Sequence, residues 1–203
     1  ALNSAEQISL VSGLQELLGA GVTTFSGGNI ILGGGGSDIM EGRGGDDIID
    51  GDAKLNVRLS IRQSLDGTGP EIGTADGMTT PIIGGIHAGK SLVELMFNGT
   101  LNPGQLQIVR EIITDDTSGV DMAVFSDVQA NYVVTQTAGE LTATTADDIL
   151  TVAHILADGT VGADGTDTVR AVEILRFADA AIILDPTITN AAATGNLIIN
   201  DGG

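Results

Sequence analysis

From residue 24 the apolar positions abandon helical spacing and recur every nine residues. The rows are TFSGGNIIL (24–32), GGGGSDIME (33–41), GRGGDDIID (42–50) and GDAKLNVRL (51–59). The sixth place holds Asn29, Asp38, Asp47 and Asn56; the eighth holds Ile31, Met40, Ile49 and then Arg58, where the pattern breaks. Each row gives six residues to a turn and three to a strand of the form x-apolar-x, which can bury one side chain. Such rows make a core only by stacking. Glycine in the turns permits left-handed backbone and lets carbonyls face inward.

Either side of the rows the spacing changes. SAEQISLVSGLQELLG (4–19) puts Ile8, Val11, Leu14 and Leu17/Leu18 on one face and predicts an amphipathic helix, opened by a Ser4/Gln7 capping box and closed by Gly19. Val57, Leu59 and Ile61 alternate with Arg58, Ser60 and Arg62, the pattern of a half-buried strand. SLVELMFNG (91–99) predicts a short helix capped by Ser91 and Glu94, and NPGQ (102–105) fits a type II turn. LQIVREIIT (106–114) satisfies strand and helix spacing equally. Beyond it, MAVF, NYVVTQT, ELTATT, ILTVAHIL and VEILRFADAAIIL predict short strands divided by Asp/Gly/Thr turns, followed by a low-bulk tail, TITNAAATGNLIINDGG.

Composition narrows the chemistry. With 30 glycines among 203 residues and 2% aromatics, packing falls to small aliphatic side chains. The 27 acidic against 8 basic residues give a net charge of −19, which repels nucleic acid and anionic membrane surfaces and attracts cations. With no cysteine, disulfides, zinc-thiolate sites and thiol catalysis are excluded. No apolar run approaches the ~20 residues of a membrane helix. The chain opens at Ala1 rather than Met, so it is expected to be a piece of a longer polypeptide whose export signal lies elsewhere.

Inward carbonyls with one carboxylate or amide per turn make a hard, oxygen-only environment. That suits calcium, which takes six to eight oxygens in irregular geometry, better than magnesium, zinc or copper. A flexible linker has no reason to hold Ile31, Met40 and Ile49 at fixed spacing. GGGGSDIME matches every fixed place of G-G-x-G-x-D-x-U-x, and GRGGDDIID misses only the second glycine, at Arg43. These rows resemble the RTX, or haemolysin-type, calcium-binding repeat. The resemblance implies a short parallel β-roll in which each ion lies between turns two rows apart. One ion is expected between Asn29 and Asp47 and a second between Asp38 and Asn56, with backbone carbonyls near Gly33, Gly35 and Gly45. The fourth row has lost most of its glycines.

The resemblance reaches further. GVTTFSGGNIILGGGGSDIMEGRGGDDIIDGDAKLNVRLSI and LNPGQLQIVREI are similar to a region of large bacterial proteins that join an animal-type haem peroxidase to RTX repeats, and VDMAVFSD and DGTDTVRAVEILRFAD resemble segments that follow such repeats. It implies a mainly β chain: an N-terminal helix over 1–23, the roll over 24–59, and a β-rich region with one short helix over 60–203. It also implies a non-enzymatic, glycine-rich module of a secreted protein exported by type I secretion, folding on calcium outside the cell, with an upstream peroxidase among its neighbouring domains.

Two other readings compete. GGIHAGKS (84–91) matches the P-loop pattern of nucleotide hydrolases in full, although the helix after it is short and the chain lacks alternating β and α elements. An adhesion or partner-binding domain stapled by calcium would present a β surface around Arg58 and Arg62. His87 and His154 lie outside any haem-binding motif, and the pairs Asp115-Asp116, Asp147-Asp148 and Asp164/Asp167 read as turn residues with room for a cation or catalytic role. Asp185-Pro186 resembles the bond cut in some self-processing RTX modules, and a turn after a strand explains it equally.

Overall fold

The computed structural model describes residues 2–114, 118–136 and 149–185. The segments ELTATT and TITNAAATGNLIINDGG, and the pairs Asp115-Asp116 and Asp147-Asp148, lie outside the described residues. The chain is mainly β, with three short α-helices among the described residues. In order these are α1 (Ala5–Ser9), α2 (Leu14–Leu18), β1 (Ile30–Leu32), β2 (Ile39–Glu41), β3 (Ile48–Asp50), β4 (Ala53–Arg62), β5 (Glu71–Ala75), α3 (Leu92–Phe97), β6 (Leu106–Thr114), β7 (Met122–Val124), β8 (Tyr132–Gln136), β9 (Leu150–Ile155), β10 (Val161–Arg170), β11 (Ile174–Arg176) and β12 (Ala181–Ile183). It divides into two compact units, and neither is a consecutive segment. One takes residues 2–8, 15–54 and the described chain from 113 on; the other takes 9–14 and 55–112.

In the first unit the nine-residue rows set the topology. Each glycine turn carries the chain to the other sheet, so rows one and three pair with each other and row two does not join them. β1 runs parallel to β3 with Ile31 opposite Ile49, and β2 lies in a separate sheet. The ladders are extended by strands from far along the sequence. β10 pairs parallel with β3, bringing Val169 opposite Ile49; β7 pairs parallel with β2, bringing Ala123 opposite Met40; β11 pairs parallel with β7. Antiparallel strands finish both sheets, in the orders β1-β3-β10-β9-β8 and β12-β11-β7-β2. Met40, Ile49, Ala123, Val169 and Leu175 join one buried cluster with Phe125, Tyr132, Leu150 and Val152, and Ile31 packs against it. The expectation that Ile31, Met40 and Ile49 form a core is met.

The fourth row does not continue this pattern. Its strand alternates apolar and polar positions and lacks the turn glycines, so it runs as the long β4 of a separate three-stranded sheet, ordered β5-β4-β6. That sheet belongs to the second unit, whose core is Ile61, Ala75, Ile82, Leu92, Leu95 and Leu101. LQIVREIIT resolves as a strand, β6. Arg58 bridges Glu71 at 2.7 Å and Glu111 at 2.9 Å, so it is tied down within the sheet. Ser60, expected to face solvent, is covered and donates to Glu71 at 2.6 Å.

Two local expectations are corrected. The single helix over 4–19 is two one-turn helices. Between them Ser12 bonds strand-like to β6, its N–H donating to Arg110 and its carbonyl accepting from Ile112. Gly13 turns the chain there at φ +81°, where a Cβ would lie 2.9 Å from the Ile112 carbonyl oxygen. Gly13→Ala is therefore expected to lower stability by about 1–2 kcal/mol, measured as a drop in denaturant midpoint. NPGQ forms a 3₁₀ turn (Pro103–Gln105) rather than a type II turn. Asn102 accepts from the Gly104 N–H while Gln105 accepts from the Asn102 N–H, a reciprocal cap that a type II turn cannot make.

Candidate metal centre

The strand registers stack the sixth places of the rows into two ladders of acids and amides. On one side stand Asn29, Asp47 and Asp167. The Asn29 N–H donates to Asp47 Oδ1 at 2.6 Å, and the Asp47 N–H donates to Asp167 Oδ1 at 2.8 Å. On the other side stand Asp38, Asp121 and Glu173, linked in the same manner at 2.7 and 2.6 Å. Each carboxylate thus anchors the backbone of the next row. Asp47, Asp121 and Asp167 are at most 2% exposed.

Glycine lets these rows come close. A Cβ at Gly42 would lie 2.0 Å from Asp47 Oδ2, and one at Gly51 would lie 2.5 Å from Asp121 Oδ2. The Gly33 Cβ position is 2.5 Å from the Gly51 carbonyl and 3.1 Å from Asp38 Oδ2. Gly45, at φ +111°, has its Cβ position 2.4 Å from the Gly27 carbonyl oxygen. Carboxylate oxygens and backbone carbonyls are therefore packed together with no side chain between them. Two buried oxygens in this arrangement, Asp38 Oδ2 and Asp47 Oδ2, accept no hydrogen bond.

The electrostatics are those of crowded anions. Burial pushes Asp47 above the usual carboxylate range, with Asp46 and Asp164 adding repulsion. Burial raises Asp121 to about 6, helped by Glu173, Asp52 and Asp38. Asp167 rises to about 7, by burial first and then by Asp47, Asp164 and Asp46. Burial likewise raises Glu173. These four are shifted by burial, backbone N–H donors and other carboxylates.

Of the residues expected as ligands, the structure joins Asn29 to Asp47, and places Gly33 beside Asp38 and Gly45 against Gly27. Gly35 lies in an exposed bend. Asn56 sits on β4 in the second unit, its Nδ2 donating to Glu111 at 2.8 Å. The partner of Asp38 is Asp121, from a strand 83 residues on. Asp121, Asp167 and Glu173 are ladder members outside the four consecutive rows, and for the first two the sequence carries a signal. GADGTDTVR (162–170) repeats G-x-x-G-x-D-x-U-x, and SGVDMAV (118–124) repeats G-x-D-x-A. Among the described residues, no three His, Cys, Asp or Glu side chains stand as a ready-made metal cage, so any cation here draws on backbone carbonyls as well.

The histidine and P-loop candidates find structural partners. His154 is buried, stacked on Tyr132 at 4.5 Å; its Nδ1 accepts from the Asp164 N–H and its Nε2 faces Asp127 at 3.2 Å. Around GGIHAGKS, the N–H of Ile82 donates to Lys90 and that of Gly89 donates to Ile82, closing a loop rather than a strand-to-helix cradle. Lys90 pairs with Glu94 at 3.1 Å, α3 has six residues, and the strand before the loop, β5, pairs antiparallel with β4. No protein-family model matches the chain, and no curated protein or solved structure matches it.

Proposed function

We propose that the chain is a calcium-binding structural module of the RTX kind, its first unit a short parallel β-roll, belonging to a larger secreted bacterial protein. The observation that carries this reading is the buried, unpartnered Oδ2 of Asp47, held in an oxygen-only turn between glycine backbones. The donor set fits calcium: carboxylates, an amide and carbonyls, with no sulfur and no imidazole in the turns. Bound calcium would supply the positive charge that the ladders lack.

The chain's own residues then act as a folding switch. In a low-calcium cytosol, Asp38, Asp47, Asp121 and Asp167 repel one another, which disfavours stacking and suits export as an unfolded chain. At extracellular calcium, sites with dissociation constants of about 10⁻⁴–10⁻³ M fill. Asp47 and Asn29, and Asp38 with its neighbour Asp121, then hold adjacent rows together while Ile31, Met40 and Ile49 pack beneath. The module itself carries no catalysis in this reading. Its partners are calcium and the other domains of its polypeptide, an upstream haem peroxidase among them by the sequence resemblance.

A thermal melt tests it. Calcium at ten times a site's dissociation constant adds about 1.4 kcal/mol. For a chain of this size that raises Tm by about 3–6 °C per site. The same magnesium concentration is expected to give a much smaller shift, and magnesium-ATP no more than magnesium. No calcium shift at millimolar concentration overturns the reading.

A further inference from the structure

The start of β10, which bulges where its register against β9 shifts between Val161 and Thr166, repeats the geometry of the turn at 42–47 so closely that it has the form of another row. GADGTDTVR (162–170) places Gly162, Gly165, Asp167 and Val169 where GRGGDDIID places Gly42, Gly45, Asp47 and Ile49. The register agrees: Thr168, Val169 and Arg170 lie opposite Ile48, Ile49 and Asp50, as Ile30, Ile31 and Leu32 do from the other side. The carboxylate anchor recurs, Asp47 N–H to Asp167 Oδ1 following Asn29 N–H to Asp47 Oδ1. The glycine stack recurs as well. Gly165, at φ +77°, has its Cβ position 2.3 Å from the Gly45 carbonyl oxygen, as Gly45 has against Gly27. Between the turn and the bulge, Asp46 Oδ1 accepts from the Thr166 N–H at 2.9 Å.

The turn and the bulge thus bring Asp46, Asp47, Asp164 and Asp167 into one neighbourhood. A cluster of acids alone is no site. The independent sign is Asp47, 1% exposed, whose Oδ2 points without a partner into the turn that Gly42 opens. We propose that residues 162–170 form a further calcium row, and that an ion between the turn 42–47 and the bulged start of β10 (162–167) takes Asp47 and Asp167 as carboxylate ligands, joining positions 120 residues apart. This rests on the calcium reading above. It adds that the sites are not confined to the consecutive rows 24–59: calcium closes the first unit across the 55–112 segment that interrupts it in sequence.

One side of this bulge is already filled. The His154 ring lies against Gly162, where a Cβ would come 2.4 Å from its Cδ2, and Asp164 accepts from Ser126 Oγ and from the Tyr132 hydroxyl. These contacts fix the bulge before any ion arrives and place the chain's one tyrosine, with no tryptophan to compete, beside the proposed site. Terbium shares calcium's oxygen preference and emits when a nearby tyrosine is excited.

The test therefore uses the full chain, with terbium as the probe and calcium as competitor. Tyrosine excitation is expected to produce terbium emission that calcium displaces. Asp167→Asn keeps an oxygen to accept the Asp47 N–H, as Asn29 keeps an amide in its row. It is expected to lose most of that emission and one calcium from the stoichiometry measured by titration calorimetry. Tyr132→Phe is expected to lose the emission and keep the stoichiometry, and Asp158→Asn, in an exposed turn, to change neither. Far-UV circular dichroism of Asp167→Asn in calcium shows whether it has folded; if it has not, Asp167→Glu, which keeps the charge, is expected to recover folding and part of the emission. A calcium-stabilised wild type whose Asp167→Asn variant keeps full stoichiometry and emission overturns this inference alone. A wild type that calcium does not stabilise overturns both it and the reading beneath it.

Discussion

Replacing Ile49 by alanine is expected to cost about 2–5 kcal/mol of stability in saturating calcium, the range for a fully buried aliphatic side chain cut back to one carbon. Ile49 is 0% exposed on the middle strand of three parallel ones, with Ile31 opposite it on one neighbour and Val169 on the other. Across the core it shares a cluster with Met40 and Leu175 from the second sheet. The short strands β1 and β3 each have three residues, so little else can collapse into the void. Leu55, half exposed on β4, is the control: its truncation is expected to stay within about 0.5 kcal/mol. Urea unfolding midpoints at unchanged slope measure both. Because the ligands converge only when the rows stack, Ile49→Ala is also expected to weaken calcium binding without touching a ligand. Equal midpoints for the two variants would show that the rows do not share the core assigned to them.

The rows themselves were legible because their period is local: Gly45, Asp47 and Ile49 fall at fixed places within nine residues, and the turn and the buried side chain follow from those places. The sequence reading stopped where the period was interrupted. Asn56 holds the right place in the count, but β4 around it alternates apolar and polar residues over ten positions, and a longer strand with its own partners wins over a three-residue row. Asp121 and Asp167 carry the same glycine-acid-apolar signal, yet they lie 83 and 120 residues from the partners they meet. Only long-range strand pairing brings them back, and no local spacing encodes that. The helix over 4–19 failed for a related reason. Ile8, Leu14 and Leu17 are buried as the spacing predicts, but Ser12 gains backbone bonds to β6 and Gly13 makes the break inexpensive.

Acid is expected to substitute in part for calcium. In chelator, the protein should be more stable at pH 5 than at pH 7.5. Asp121 and Asp167 are raised in the folded chain to about 6 and about 7, above their ordinary value of 3.8, so the folded state binds more protons than the unfolded one across that interval. A group raised in this way contributes fully below its unfolded value, and the contribution is lost as pH climbs to the folded one. For Asp167 alone the loss is on the order of 4 kcal/mol by neutral pH. The opposite sign holds for Asp164, Glu71 and Glu111, which are held below the usual range: Ser126 and Tyr132 bond to the first against its burial, Ser60 and then Arg58 to the second against its burial, and Arg58 and Asn56 to the third. Their contribution is present above the unfolded value and lost as pH falls through the folded one, so the calcium-free optimum is expected near about pH 5. Calcium reverses the order, since its ligands must be ionised. Millimolar calcium should raise Tm strongly at pH 7.5 and hardly at pH 5. Melts at the two pH values, with chelator and with calcium, decide it. A chelated protein that loses stability on going from pH 7.5 to 5, or an equal calcium shift at both, would show that the buried carboxylates are not what the cation relieves.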